Sequence, residues 1–154
     1  MQRRAILALG SNLGDRQTLL RDAVGAVPDL VRVSPVYETD PIGGPDAQGP
    51  YLNMVVELAT TLGPWELLDV CRTLEIAAGR KRIVHWGPRT LDCDVIWIDG
   101  IAIIEQDLVI PHPRYRERNF VLAPLWHIAP DLVPDDFDID NASGVYLLGS
   151  IDTI

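Results

Sequence analysis

Residues 86–98 read WGPRTLDCDVIWI, and from Leu91 to Ile98 every position except Asp92 and Asp94 is apolar. That run predicts a central strand buried on both faces, where an acid is out of place. Side chains two apart in a strand leave the same face about 6–7 Å apart, so the Asp92 and Asp94 carboxylates can converge on one point. Two like charges at that distance repel unless a cation lies between them. An all-oxygen pair of this kind suits Mg²⁺, which takes one or two protein carboxylates and fills its octahedron with water and substrate phosphates. The stretch therefore points to a metal-dependent phosphate site. The plainer alternative is a pair of acids that is merely solvated, or paired with Arg89 just upstream.

Trp86-Gly87-Pro88-Arg89 places a guanidinium able to grip phosphate and an indole able to stack on a flat ring directly before the two acids. The unbroken eleven-residue string WGPRTLDCDVI resembles the signature of the 6-hydroxymethyl-7,8-dihydropterin pyrophosphokinase family of folate biosynthesis, and the opening LALGSNLGDR matches the family's start. The resemblance covers most of residues 4–132. It implies transfer of pyrophosphate from ATP to the pterin alcohol, giving AMP and the pterin diphosphate. It also implies two Mg²⁺ ions on Asp92 and Asp94, with Arg80, Arg82 and Arg89 helping catalysis. Thr39, Pro41, Ile42, Tyr51, Asn53, Trp86 and Phe120 match the family's pterin contacts. Glu75, Arg89, Ile96, His112 and Arg118 match its ATP contacts. His112, held between Pro111 and Pro113, matches a histidine expected to donate to phosphate rather than act as a base. The chain departs from common family residues at Arg72, His85, Asp107 and Val109.

Several of these positions have ordinary readings when the resemblance is set aside. Gly10-Ser11-Asn12 reads as a strand-to-helix turn that caps the next helix. Asn53 reads as a polar residue near a turn, Glu75 as a surface residue flanking an apolar stripe, and Phe120 as core.

With 154 residues, the chain is expected to form one domain with a self-sufficient core. A formal charge of −9 argues against a nucleic-acid surface. The thirteen basic residues are nevertheless uneven: Arg80, Lys81, Arg82, Arg89, Arg114, Arg116 and Arg118 fall in two short windows. A positive mouth on an acidic protein suits a small polyanion such as ATP, although Lys81 and Arg114 taken singly read as solvated surface. Two cysteines in apolar patterns read as buried thiols, consistent with a reducing cytosol. The apolar run before Gly10 is too short for a secretory or membrane segment. A soluble, cytoplasmic monomer is expected.

The sequence predicts strands over 4–9, 30–37 and 51–59, the second interrupted late by Pro35 so that its end is an edge or a bend, and helices over 15–27 and 64–79. Thr39 to Pro50, with three prolines and three glycines, reads as a loop. Asp99-Gly100 predicts a hairpin returning residues 101–104 antiparallel to the strand before it. A helix kinked at Pro124 is expected over 114–129. The acidic segment from Asp131 onward carries no motif and is expected to wrap the domain. The order β-α-β-β-α-β gives an α+β fold, ferredoxin-like at its centre, with helices packed on an antiparallel-rich sheet. No GxxxxGK[ST] or GxGxxG motif is present, so a nucleotide must be held some other way. Two rival functions remain at this stage: another two-metal phosphohydrolase or nucleotidyl enzyme, and a nucleotide-binding regulatory domain without turnover.

Overall fold

The computed structural model describes residues 1–12, 14–40, 50–80 and 91–154. Its organising strand is β1 (Arg3–Ser11), which pairs antiparallel with β4 (Tyr51–Thr60) on one side and β5 (Asp92–Ile98) on the other. Alternation along β1 divides its apolar residues between two cores. Ala5, Leu7 and Leu9 enter the core formed with helices α1 (Arg16–Ala26) and α2 (Pro64–Glu75), whereas Ile6 enters the core beneath α3 (Asn119–Ile128). The antiparallel sheet thus carries helices on both faces, the α+β arrangement expected. Leu7 is fully buried, so Leu7→Ala should lower unfolding free energy by about 2–5 kcal/mol through lost burial and an unfilled cavity. Urea denaturation would measure the loss.

The remaining strands follow from local chemistry. Pro35 has no N–H for a ladder. The strand expected over 30–37 is therefore two, β2 (Leu30–Val33) and β3 (Val36–Thr39), each paired with a different part of β4. Ser34 bridges the break, its hydroxyl accepting the Val55 N–H at 2.9 Å and donating to the Pro35 carbonyl at 2.9 Å. Asp15, rather than the Gly10-Ser11-Asn12 segment, caps α1 by accepting the Thr18 N–H at 3.1 Å, and Ser11 belongs to β1. Pro64 opens α2 and Leu67, Cys71 and Leu74 are its buried stripe. The helix stops at Glu75, short of the expected 79, and a π-helical turn follows over Ile76–Arg80. Gly79 there takes φ 98°, which a side chain would resist. Cys71 and Cys93 are buried free thiols, as expected.

Three expectations about the strands and the C-terminal segment are corrected. Among the described residues the Asp92-containing strand is not central: the sheet order is β5-β1-β4-β3-β8, with β5 at the edge. It reads as fully buried because α2 covers one face while Ile96 sits in the α3 core on the other. Residues 101–104 do not return along β5. Ile103–Ile104 (β6) pairs instead with Val109–Ile110 (β7) in a separate two-stranded sheet. The segment from Asp131 is more than a wrap, since Val145–Gly149 (β8) joins the main sheet beside β3.

The helix expected from Arg114 begins only at Asn119, after a 3-10 turn over Tyr115–Glu117 and an extended Arg118. Pro124 lies inside α3 without dividing it. His127 on α3 stands 2.7 Å from the Tyr37 hydroxyl, tying the helix to β3. Among the described residues, no helix is long and apolar enough to cross a membrane.

Candidate functional site

A cavity of about 510 Å³ opens on the α3 face of the sheet, over β1 and its two neighbours. Strand register explains its contents. Gly10 pairs with Asn53 on one side and Asp92 on the other, and Ala8 pairs with Val55 and Asp94. An amide and two acids therefore flank a floor made of two small residues of β1, Ala8 and Gly10. All of Ala8, Gly10, Asn53, Asp92 and Asp94 line the cavity. Adjacent strands lie about 4.8 Å apart, so the amide and acid sides are roughly 10 Å apart.

Asn53 is buried and its orientation is fixed. Its Nδ2 donates to Thr39 Oγ1 at 2.7 Å, while its Oδ1 lies over Gly10. Thr39 is the last residue of β3 and Tyr51 the first of β4, so both reach the same end of the cavity. Phe120 stands at the start of α3, half-buried, with the Arg118 guanidinium 5.5 Å from its ring centroid. Both line the cavity, as does Ile96, which follows the two acids on the same face of β5. Eight expected residues are thereby brought together: Thr39, Tyr51, Asn53, Asp92, Asp94, Ile96, Arg118 and Phe120.

Two others lie outside the cavity lining. His112 is fixed by its backbone N–H, which donates to the Ile96 carbonyl at 2.9 Å. Its Nδ1 accepts the Arg114 N–H at 3.1 Å, which leaves the proton of the neutral ring on Nε2. Burial pulls its pKa below the ordinary histidine value; Asp94 opposes that shift and Arg118 and Arg114 reinforce it. Burial thus favours the neutral ring, which can donate from Nε2. Glu75, at the end of α2, lies across the sheet from the two acids and its Oε2 accepts the Cys93 N–H at 3.1 Å. Pro41, Ile42, Arg82, Trp86 and Arg89 fall outside the described residues, as does the side chain of Arg80.

The cavity also contains residues to which sequence reasoning gave no role or the wrong one. Ala8 and Gly10 form its floor, and the ALG triplet in an otherwise bulky strand was the available signal. Arg114, read as solvated surface, lines the cavity, as do Glu117 and Asp40. Asp40 is held by the C-terminal segment: its N–H donates to the Gly144 carbonyl at 3.0 Å and its Oδ2 accepts the Tyr146 hydroxyl at 3.3 Å. Asn12 is buried, and neither polar atom of its amide has a partner among the described residues.

Chemically, the cavity lining pairs an anchored amide and two aromatic side chains with the carboxylates of Asp40, Asp92, Asp94 and Glu117 and the guanidiniums of Arg114 and Arg118. Among the described residues no three His, Cys, Asp or Glu side chains form a metal cluster. Two carboxylates opening on a wide cavity still fit Mg²⁺, which draws most of its ligands from water and phosphate.

The family model described as 7,8-dihydro-6-hydroxymethylpterin-pyrophosphokinase matches residues 6–130. The chain is 49% identical over 129 residues to a 2-amino-4-hydroxy-6-hydroxymethyldihydropteridine pyrophosphokinase of Bacillus subtilis, covering 80% of this chain and 77% of that one. A protein of the same name from Methylorubrum extorquens is 47% identical over 135 residues, covering 84% of this chain and 85% of its own. Among solved structures, the wild-type HPPK-DHPS of Plasmodium falciparum superposes with a TM-score of 0.63 at 13% identity. That match covers 90% of this chain but 40% of the solved one, and it shows the shared fold.

Proposed function

Since the chain belongs to the 7,8-dihydro-6-hydroxymethylpterin-pyrophosphokinase family, we propose that its cavity holds ATP and 6-hydroxymethyl-7,8-dihydropterin together and carries pyrophosphate from one to the other. The protein is an enzyme, a pyrophosphokinase of folate biosynthesis. The observation that carries the finer reading is the register row Asn53–Gly10–Asp92, which puts an amide reader and an acid at opposite sides of a small-residue floor.

The pterin's amide edge lies against Asn53 and Thr39, with Tyr51 and Phe120 packing its flat faces. Its hydroxymethyl arm then points across Gly10 toward Asp92 and Asp94. Ile96 offers an apolar wall to the nucleotide, while Arg118 and the Nε2 proton of His112 meet phosphate oxygens. Two Mg²⁺ ions on Asp92 and Asp94 would neutralise phosphate charge and hold the polyphosphate chain in line. The pterin hydroxyl oxygen bonds to the β-phosphorus as the bond from that phosphorus to the α-phosphate bridging oxygen breaks. AMP leaves with the electron pair, and the hydroxyl proton is lost to solvent. With its Nδ1 lone pair engaged by the Arg114 N–H, His112 donates from Nε2 rather than abstracts, so the residues of this chain act by positioning and by stabilising charge.

Free buried thiols support a reducing, cytoplasmic setting. The net charge of −9 favours small substrates gathered by local arginines over nucleic acid, and the protein is taken to act as a monomer. One incubation with ATP, Mg²⁺ and the pterin alcohol tests the reading. Chromatography should show AMP and the pterin diphosphate in equal amounts, and neither with EDTA present. ADP or free phosphate without pterin consumption would indicate the rival phosphohydrolase. Nucleotide binding without turnover would indicate a regulatory domain.

A further inference from the structure

Glu75 is a charged side chain in an apolar place. It ends α2 beside the buried stripe of Leu67, Cys71 and Leu74, and is itself only 6% exposed. Its Oε2 accepts the backbone N–H of Cys93 at 3.1 Å, and Cys93 lies between Asp92 and Asp94.

The location on an edge strand gives that bond its weight. Among the described residues β5 has β1 as its one neighbour in the sheet, so no described strand pairs with its outward side. A buried N–H left unpaired costs about 1–3 kcal/mol. A one-residue slip of β5 would turn both aspartates to the opposite face. The Glu75 bond removes the orphan N–H at the residue separating the two acids, and joins the end of α2 to that point of the strand.

We propose that Glu75 is a positioning residue for the two aspartates: by holding the Cys93 amide from the far side of the sheet, it fixes the pleat from which both carboxylates enter the cavity to receive divalent cations. This rests on the reading that Asp92 and Asp94 hold the metal. It differs from a nucleotide contact, because Oε2 of Glu75 is engaged by the Cys93 backbone N–H.

The test compares Glu75→Ala and Glu75→Gln with the unmodified protein. Two readouts serve: hydrogen exchange of the Cys93 amide without metal, and Mn²⁺ binding by electron paramagnetic resonance with a non-hydrolysable ATP analogue. Glu75→Ala should speed Cys93 exchange and weaken Mn²⁺ binding by roughly 10–100-fold, the range for partners that orient metal ligands. Glu75→Gln keeps an acceptor oxygen and should restore most of both. If Glu75→Ala does not fold, Glu75→Asp, whose carboxylate is one methylene short, gives the same comparison. Unchanged Mn²⁺ affinity despite faster exchange would overturn the proposal. Equal loss of analogue affinity in the Ala and Gln variants, with Mn²⁺ binding retained, would make Glu75 a nucleotide contact instead. Absence of Mn²⁺ binding by the unmodified protein would instead overturn the two-aspartate metal site itself.

Discussion

Asp94→Asn should leave a folded protein whose AMP formation falls by roughly three orders of magnitude or more, and Asp92→Asn should do the same. The substitution keeps shape and removes charge, so it isolates the electrostatic role. Metal contributions to phosphoryl transfer amount to several kcal/mol, and each 1.36 kcal/mol is tenfold in rate. Both carboxylates line one cavity from one face of β5, leaving that strand about 6–7 Å apart. Asp94 is solvent-exposed, so its replacement should alter stability by no more than about 0.5 kcal/mol. Relief of like-charge repulsion can make the change favourable in metal-free buffer. Thermal melting in EDTA, Mn²⁺ binding and product chromatography measure the three parts separately. AMP formation at the unmodified rate, with an unchanged Mg²⁺ requirement, would remove Asp94 from the mechanism. A variant that melts far below the parent would show that the carboxylate is structural.

Much of this site was legible because strand and helix periods translate directly into faces. The largely apolar run of residues 51–59 places β4 nearly as observed, the stripe in residues 64–79 places α2 with its end four residues too late, and the aspartate spacing puts both acids on one face. What the pattern could not distinguish was a central strand from an edge strand covered by helices. Leu91 to Ile98 reads the same in both cases, because burial comes from α2 and the α3 core rather than from a second neighbouring strand.

Pairing partners were equally hidden. Asp99-Gly100 forms the expected turn, with the Ile101 N–H donating to the Ile98 carbonyl at 3.1 Å, yet the chain then pairs with Val109–Ile110 instead of β5. Residues 145–149 lie in an acidic, motif-free tail, and only the exposed edge of β3 reveals them as a strand. Local chemistry did contain one signal: Pro35 cannot donate to a ladder, and the interruption it implies late in residues 30–37 is where β2 ends and β3 begins.

The cavity floor shows most directly what a sequence conceals, and Gly10→Ala should lower kcat/KM for the pterin alcohol about a hundredfold. Gly10 reads as the start of a turn, but it belongs to β1 opposite Asn53. A Cβ there would stand 2.6 Å from Asn53 Oδ1, 3.6 Å from its Cγ and 3.7 Å from the Leu52 carbonyl oxygen. The amide cannot simply swing aside, since its Nδ2 is held by Thr39 at 2.7 Å in a buried setting. It must tilt or give up that bond, and a displacement on the order of 1 Å at a positioning group costs about 10²-fold. ATP-analogue affinity should change little, because Asp92, Asp94 and Arg118 lie away from the clash. A double-mutant cycle separates this cause from general damage to β1. With Asn53→Ala already in place the obstructing oxygen is gone, so adding Gly10→Ala should cost almost nothing further. A second full hundredfold loss in the double variant would mean that Gly10 serves the site by some route other than making room for Asn53.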